Sequence, residues 1–210
     1  MQALDQQVRV RDVRGDTELA MGWKGVAEST PRIRDRSRVD AGGTVAVNLG
    51  GIINTLELAL PHLKSGASIV CIGSMAAFMG SFESPEAGPG AAGYGHSKRA
   101  VARLVNDLAR NLAPKGIRVN GIHPGNVDTT MVHNDEIYQL FRPDLQNPTY
   151  DDAKDIFASF HGLPVDLIAP EDISEAVLYL VSDASRYVTG QQLRVEAGAL
   201  LKSVPPGVPD

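Results

Sequence analysis

Tyr94-Gly95-His96-Ser97-Lys98 sets a phenol and an ammonium four positions apart. On a helix that spacing puts both side chains on one face, with about 5–6 Å between their Cβ atoms. A neighbouring ammonium favours phenolate, so it draws a tyrosine down from its usual pKa near about 10 and suits it to proton exchange with an alcohol or ketone. The flanking sequence decides the fold. Upstream, Ala67-Ser68-Ile69-Val70-Cys71-Ile72-Gly73-Ser74 is a continuous apolar run closed by glycine and serine, the pattern of a strand buried on both faces of a parallel sheet. Downstream, Ala100, Val101, Leu104, Val105, Leu108 and Leu112 form one apolar helix stripe. Gly116-Ile117-Arg118-Val119-Asn120-Gly121-Ile122 then reads as a second strand, broken by His123-Pro124-Gly125.

A hydroxyl at one strand's end, a Tyr/Lys helix and a turn at the next strand's end converge on one edge of a sheet, where open α/β sheets bind ligands. Tyr150-Asp151-Asp152-Ala153-Lys154 repeats the spacing without that setting. It follows Asn147-Pro148-Thr149, carries two carboxylates inside the motif and reads as the exposed first turn of a helix.

The element pattern is a strand at 7–13, a helix near 17–28, a long helix near 44–62, a strand at 67–73, the Tyr/Lys helix at 94–113 and a strand at 116–122. Helices follow from near 128, at 150–160 and at 171–182, with Pro170 and Asp172 as start signals for the last, then a short strand at 191–196. Strand alternating with helix predicts an α/β fold, a Rossmann-like parallel sheet with helices on both faces, in a single domain over 1–210. Val204-Pro205-Pro206-Gly207-Val208-Pro209 predicts an extended tail over 203–210.

With these residues in place, the sequence resembles the short-chain dehydrogenase/reductase family from about Gln7 to Ala199. The resemblance implies a catalytic set of Asn48, Ser74, Tyr94 and Lys98. Asn48, in Val45-Ala46-Val47-Asn48-Leu49-Gly50-Gly51, matches the asparagine that holds a proton-relay water, and Ser74 matches the serine that binds the substrate oxygen. Tyr94 matches the acid/base, and Lys98 the residue that lowers the tyrosine pKa and holds the nicotinamide ribose. Pro124, Gly125, Val127 and Thr129, in Pro124-Gly125-Asn126-Val127-Asp128-Thr129, match the turn that holds the nicotinamide carboxamide, and Asp12 with Val13 matches a strand end that contacts adenine. Tyr138-Gln139-Leu140-Phe141-Arg142-Pro143-Asp144-Leu145, Leu163-Pro164-Val165 and Tyr187-Val188-Thr189-Gly190 resemble the carveol-dehydrogenase-like, mycofactocin-coupled branch. That branch implies oxidation of secondary alcohols, terpenoid ones included. The implied cofactor is NAD or NADP, with NAD favoured by the branch, and the implied assembly is a dimer or tetramer.

The family's opening strand and its Thr-Gly-x-x-x-Gly-x-Gly turn, which cradles a pyrophosphate at a helix N-terminus, have no counterpart here. The sequence therefore reads as an incomplete, N-terminally truncated domain. By resemblance the sheet order is 3-2-1-4-5-6-7, and the loss of strands 1, 2 and 4 leaves 67–73 as an open edge, with Arg9 and Arg11 arguing against residues 7–13 as its cover. Gly88, Gly90 and Gly93 spell a Gly-x-Gly-x-x-Gly, but they follow no strand and read as a loop rather than a phosphate cradle. Arg32-Ile33-Arg34-Asp35-Arg36-Ser37-Arg38 is too charged for a central strand, and 29–43 reads as a solvated loop. These gaps leave an alternative to the enzyme: an inactive remnant that acts only through oligomerisation surfaces, chiefly helices 44–62 and 94–113.

The composition narrows the partners. A formal charge of −5 and 43% hydrophobic residues give no electrostatic footprint for nucleic acid. No continuous apolar run approaches the roughly 20 residues of a membrane helix, and Met1 leads into Gln, Asp and Arg rather than a signal peptide, so a cytoplasmic protein is expected. Cys71 is the single cysteine, placed mid-strand as a small buried hydrophobe. The five histidines lack metal-ligand spacing and are expected to be structural or exposed, His96 pointing away from the site. Met131, Tyr138, Leu140 and Phe141 suit either an apolar substrate lid or ordinary helix packing.

Overall fold

Ser68, Ile69, Val70 and Cys71 are all buried, because this strand is covered on both faces. The computed structural model describes residues 9–11, 19–20, 41–79 and 88–201. Its strands are β1 (Arg9–Arg11), β2 (Leu19–Ala20), β3 (Ser68–Ile72), β4 (Arg118–Pro124) and β5 (Gln192–Val195). They form one sheet in the order β2-β1-β3-β4-β5. β3, β4 and β5 run parallel, with Ile72 opposite Ile122 and Ile122 opposite Leu193. β1 lies antiparallel against β3, and β2 antiparallel against β1.

The parallel core and its helices match the expected α/β fold, but the edge does not stay open. β1 covers it, with Val10 opposite Ile69. Strand pairing runs through backbone N–H and C=O groups, which flanking charge does not remove, so the arginines of this segment did not preclude it. Leu19–Ala20 forms a strand where a helix near 17–28 was expected.

The helices are α1 (Ala41–Val45), α2 (Gly51–Ala59), α3 (Gly88–Leu112), α4 (Asp135–Phe141), α5 (Tyr150–Phe160) and α6 (Pro170–Val181). A π-helical turn, Ala46–Gly50, joins α1 to α2, and a 3-10 turn, Leu60–His62, extends α2. Alternation along β3 divides the core between the two faces of the sheet. Ile69, Cys71 and Val119 pack with Ile52 and Leu56 of α2 and Val101 and Val105 of α3. Val70 and Ile122 pack with Leu180 of α6, alongside Ile173, Ala176 and Val177. Arg118 ties α6 down by donating to Leu180 O at 2.8 Å and Ser182 O at 3.2 Å, two carbonyls at the helix's C-terminal end.

Several boundaries differ from expectation for visible reasons. Residues 41–43 start α1 rather than ending a loop, because α1 packs on α3 where Gly93 brings the two backbones together. A Cβ at Gly93 would lie 2.7 Å from Ala41 Cα and O. Gly88, Gly90 and Gly93 accordingly belong to the first turns of α3, not to a loop. No helix starts near 128: Asn134, whose side chain accepts from Ile137 N, caps α4 instead. The helix Ala41–His62 is, by length and composition alone, apolar enough to cross a membrane, although no unbroken apolar run within it reaches that length. Its Ile52, Leu56 and Ala59 are buried in the fold. Asp12, Val13, residues 29–40 and the tail 203–210 lie outside the described residues.

Candidate active site

Ser74 leaves β3 with extended backbone and caps the 3-10 turn Met75–Ala77, its Oγ accepting from Ala76 N at 3.2 Å. The serine hydroxyl also hydrogen-bonds the Tyr94 phenol, which reaches it from the N-terminal half of α3. One turn further along α3, Lys98 Nζ stands 5.5 Å from the centroid of the Tyr94 ring and donates to Ile72 O at 3.3 Å. Asn48 sits within the π turn of the neighbouring helix, where the i→i+4 bonding is interrupted. Its Nδ2 donates to Ser97 Oγ at 3.1 Å, and Ser97 Oγ donates to Tyr94 O at 2.8 Å. Ser74, Tyr94 and Lys98 thus meet at the C-terminal end of β3, and Asn48 is linked to the Tyr94 backbone through Ser97.

The electrostatics depart from the simple expectation. Burial pushes the Tyr94 phenol above its ordinary value, and the bond to Ser74 offsets part of that rise. Lys98 is buried and falls to about 8 from an ordinary 10.5, because burial penalises the ammonium. The pair therefore rests with a neutral phenol and a lysine able to lose its proton near working pH. The lowered tyrosine expected from spacing alone is not present in this state. A low-dielectric site penalises both charges, and that cost outweighs the attraction between them.

The second wall is the turn after β4. Gly125 N donates to Val195 O at 2.9 Å, and Val127 bridges to Ile168 in parallel register. A Cβ on Gly125 would lie 3.0 Å from Glu196 Cα, so the turn depends on a residue without one. Thr129 Oγ1 contacts Val127 O and Met131 N, both at 3.4 Å, so it closes a local turn rather than capping a helix. Asn126 Nδ2 is buried and has no hydrogen-bond partner among the described residues. Such an amide is costly unless something at the site satisfies it.

Sequence reasoning missed three groups. Ser97 joins Asn48 to the tyrosine's own carbonyl, and it is buried although it lies within the motif. His123, expected to be merely structural or exposed, is fully buried and touches Ser74. The signal was available: Ile72 pairs with Ile122, so the next step of the register sets Gly73 beside His123. The third group is the segment after the β4 turn. His133 contacts Asp128 Oδ1 at 2.7 Å and the Tyr138 hydroxyl at 2.8 Å, and Tyr150 donates to Asp166. Phe141 packs on Phe157 and Phe160, whereas Met131 and Leu140 are about half exposed. At the second Tyr/Lys spacing Lys154 pairs with Asp151, and Tyr150 is half-buried rather than exposed. His96 is exposed, as expected.

The chain as a whole is similar to known proteins. A family model described as Enoyl-(Acyl carrier protein) reductase matches residues 17–199. A putative short-chain type dehydrogenase/reductase of Mycolicibacterium smegmatis is 37% identical over 188 residues, covering 90% of this chain and 66% of the relative. (-)-trans-Carveol dehydrogenase of Rhodococcus erythropolis is 37% identical over 161 residues, covering 75% of this chain and 56% of the relative. Among solved structures, carveol dehydrogenase from Mycobacterium avium in complex with NAD superposes with a TM-score of 0.71 at 39% identity, covering 80% of this chain and 61% of that one. The chain thus spans less than two thirds of the length of these relatives.

Proposed function

The chain belongs to the short-chain dehydrogenase/reductase family, and from that premise we propose that it interconverts a secondary alcohol and a ketone with NAD(P), NAD being favoured. The observation that carries this reading is the Ser74–Tyr94 hydrogen bond with Lys98 5.5 Å from the tyrosine ring. In the oxidising direction Tyr94 takes the alcohol proton, and in the reducing direction it returns a proton to the carbonyl oxygen. Ser74 holds that oxygen beside the phenol, and Lys98, when protonated, favours the phenolate. NAD(P), when bound, supplies the hydride acceptor or donor for the carbon centre.

The residues present fit the nicotinamide half of such a cofactor. Lys98 would hold the ribose and the Pro124, Gly125, Val127 and Thr129 turn the carboxamide. The unpartnered donor at Asn126 is the kind of group that a carboxamide oxygen would satisfy. For the substrate, the apolar side chains of Met131 and Leu140 beyond the turn favour a cyclic, terpenoid alcohol of the carveol type. Val47, Ile53 and Leu58 are 53%, 37% and 67% exposed on the helix Ala41–His62, which favours a homo-oligomer assembled through that helix.

The test is calorimetric titration of the full chain with NAD(H) and NADP(H), followed by nicotinamide absorbance with carveol and related cyclic alcohols. Micromolar cofactor binding with turnover that Tyr94→Phe abolishes is the expected result. Absence of binding by a chain with a cooperative thermal transition would overturn the proposal.

A further inference from the structure

His123 has 0% exposure and plays no part in the proton transfer described above. We propose that it is a positioning residue: its Nδ1 accepts the Ser74 N–H and fixes the serine whose hydroxyl meets the Tyr94 phenol. This assignment rests on the dehydrogenase reading and adds a group to it.

The contacts are directional. Gln192 Nε2 donates to Asn106 Oδ1 at 2.8 Å and to Ala102 O at 3.0 Å, both on α3. That orientation turns Gln192 Oε1 toward His123 Nε2, 2.6 Å away. A carbonyl oxygen only accepts, so Nε2 carries the imidazole proton. In a neutral ring Nδ1 is then bare, and it lies 3.3 Å from Ser74 N, placed to accept that N–H. Ser74 O is 3.1 Å from the same nitrogen and would need a proton there to bond it. Burial lowers the imidazole's pKa against the opposing contacts with Gln192 and Ser74 O, and the nearby cations Lys98 and Arg194 add to the lowering, so the neutral ring with the N–H as its partner is favoured.

The surroundings are built for this ring. A Cβ on Gly73 would lie 2.3 Å from His123 Nδ1, and one on Gly121 would lie 2.6 Å from Gln192 Oε1. Two glycines thus leave the room that the histidine and glutamine fill. Phe78 closes the remaining side edge-on, with ring centroids 4.7 Å apart. The path Asn106–Gln192–His123–Ser74 begins on the helix that carries Tyr94 and Lys98 and ends on the serine. It therefore ties the two halves of the catalytic pair to one frame.

Two substitutions separate the two ring nitrogens. His123→Asn keeps an acceptor near Nδ1, whereas His123→Gln keeps a group near Nε2 and leaves the Ser74 N–H unpaired. On the full chain, the Ser74 backbone amide resonance is followed by 1H–15N spectroscopy. Kinetics with carveol and NAD, and NAD binding by calorimetry, are measured alongside. The Gln variant is expected to shift the Ser74 amide upfield and lower kcat by about tenfold or more, while cofactor affinity stays within about twofold. The Asn variant should restore the amide shift and most of kcat. An unchanged Ser74 amide in the Gln variant, or equal losses of kcat in both variants, overturns the proposal. If the unsubstituted chain binds NAD yet turns over no alcohol, the dehydrogenase reading fails. The amide shift alone then still decides whether His123 holds Ser74.

Discussion

Lys98 Nζ lies 5.5 Å from the centroid of the Tyr94 ring and is anchored to Ile72 O at 3.3 Å, so the ammonium is held against the end of β3 rather than in solvent. Its fall to about 8 from 10.5 measures what that placement costs. At roughly 1.4 kcal/mol per pH unit, the cost is about 3 kcal/mol. Burying one Val or Ile of the adjacent core returns about 1.5–3 kcal/mol. The core around Ile69, Val101, Val105 and Val119 can therefore carry the lysine, but the lysine does not contribute to the stability of the fold.

Lys98→Met is accordingly expected to make the cofactor-free chain more stable at pH 7, by about 1–3 kcal/mol, while weakening NAD binding. The pH dependence is specific. Below pH 8 the buried ammonium carries its full penalty; between about 8 and 10.5 the folded chain releases that proton while the unfolded chain keeps it. The advantage of the Met variant should therefore shrink as pH rises through this window. Urea denaturation of both proteins at pH 7 and pH 9.5 measures it, and a constant or growing advantage contradicts the placement of Lys98.

On the proposed mechanism, Tyr94 sets the activity profile. Its phenol is raised by burial, so the base form needed for alcohol oxidation stays scarce at neutral pH and grows as pH increases. Oxidation, as kcat/KM, should rise by about tenfold per pH unit from pH 6 to pH 8. The rise should flatten above pH 8, where Lys98 loses the charge that favours phenolate. Tyr94→Phe should lower kcat by about 10²–10⁴-fold and leave the thermal transition within a few degrees of the parent. A variant retaining a tenth of the parent rate would remove Tyr94 from the proton transfer.

Ser97 is the connection between the π turn and the tyrosine. Ser97→Ala removes the acceptor for Asn48 Nδ2 and the donor to Tyr94 O in one step. Both partners are half-buried, so a loss of about 1–2 kcal/mol in stability is expected. Asn48→Ala and the double variant complete a cycle. If the asparagine acts through Ser97, the double variant should be no less stable than Ser97→Ala, whereas strictly additive losses would show that the two side chains are uncoupled.

The parallel core was legible in the sequence because its signals are local. The apolar runs before Gly73 and before Pro124 and the stripe from Val101 to Leu112 identify two strands and a helix without tertiary information. Tyr94, Lys98 and Ser74 followed from the same local pattern. What the sequence hid depends on contacts between distant segments. β1 pairs with β3 from far along the chain, and Gln192 reaches His123 from the last strand. The direction of the tyrosine's pKa was also hidden, since spacing reveals a neighbouring charge but not the desolvation that outweighs it.

Gly93 offers the sharpest test of how α3 and the π turn are coupled. A Cβ there would stand 2.7 Å from Ala41 Cα and O, which are backbone atoms that cannot swing aside. Gly93→Ala must therefore push α1 away from α3, and overpacking of this kind costs about 1–3 kcal/mol. α1 runs directly into the π turn that holds Asn48, so the displacement should also loosen the contact between Asn48 and Ser97. The variant is expected to melt several degrees lower and to lose kcat by about tenfold. Cofactor binding should follow the altered packing only weakly, because Gly93 lies at a helix–helix contact and not in a phosphate cradle. Calorimetry of NAD binding by Gly93→Ala checks this: a loss of affinity larger than the loss of kcat would mean that the glycines of α3 touch the cofactor after all.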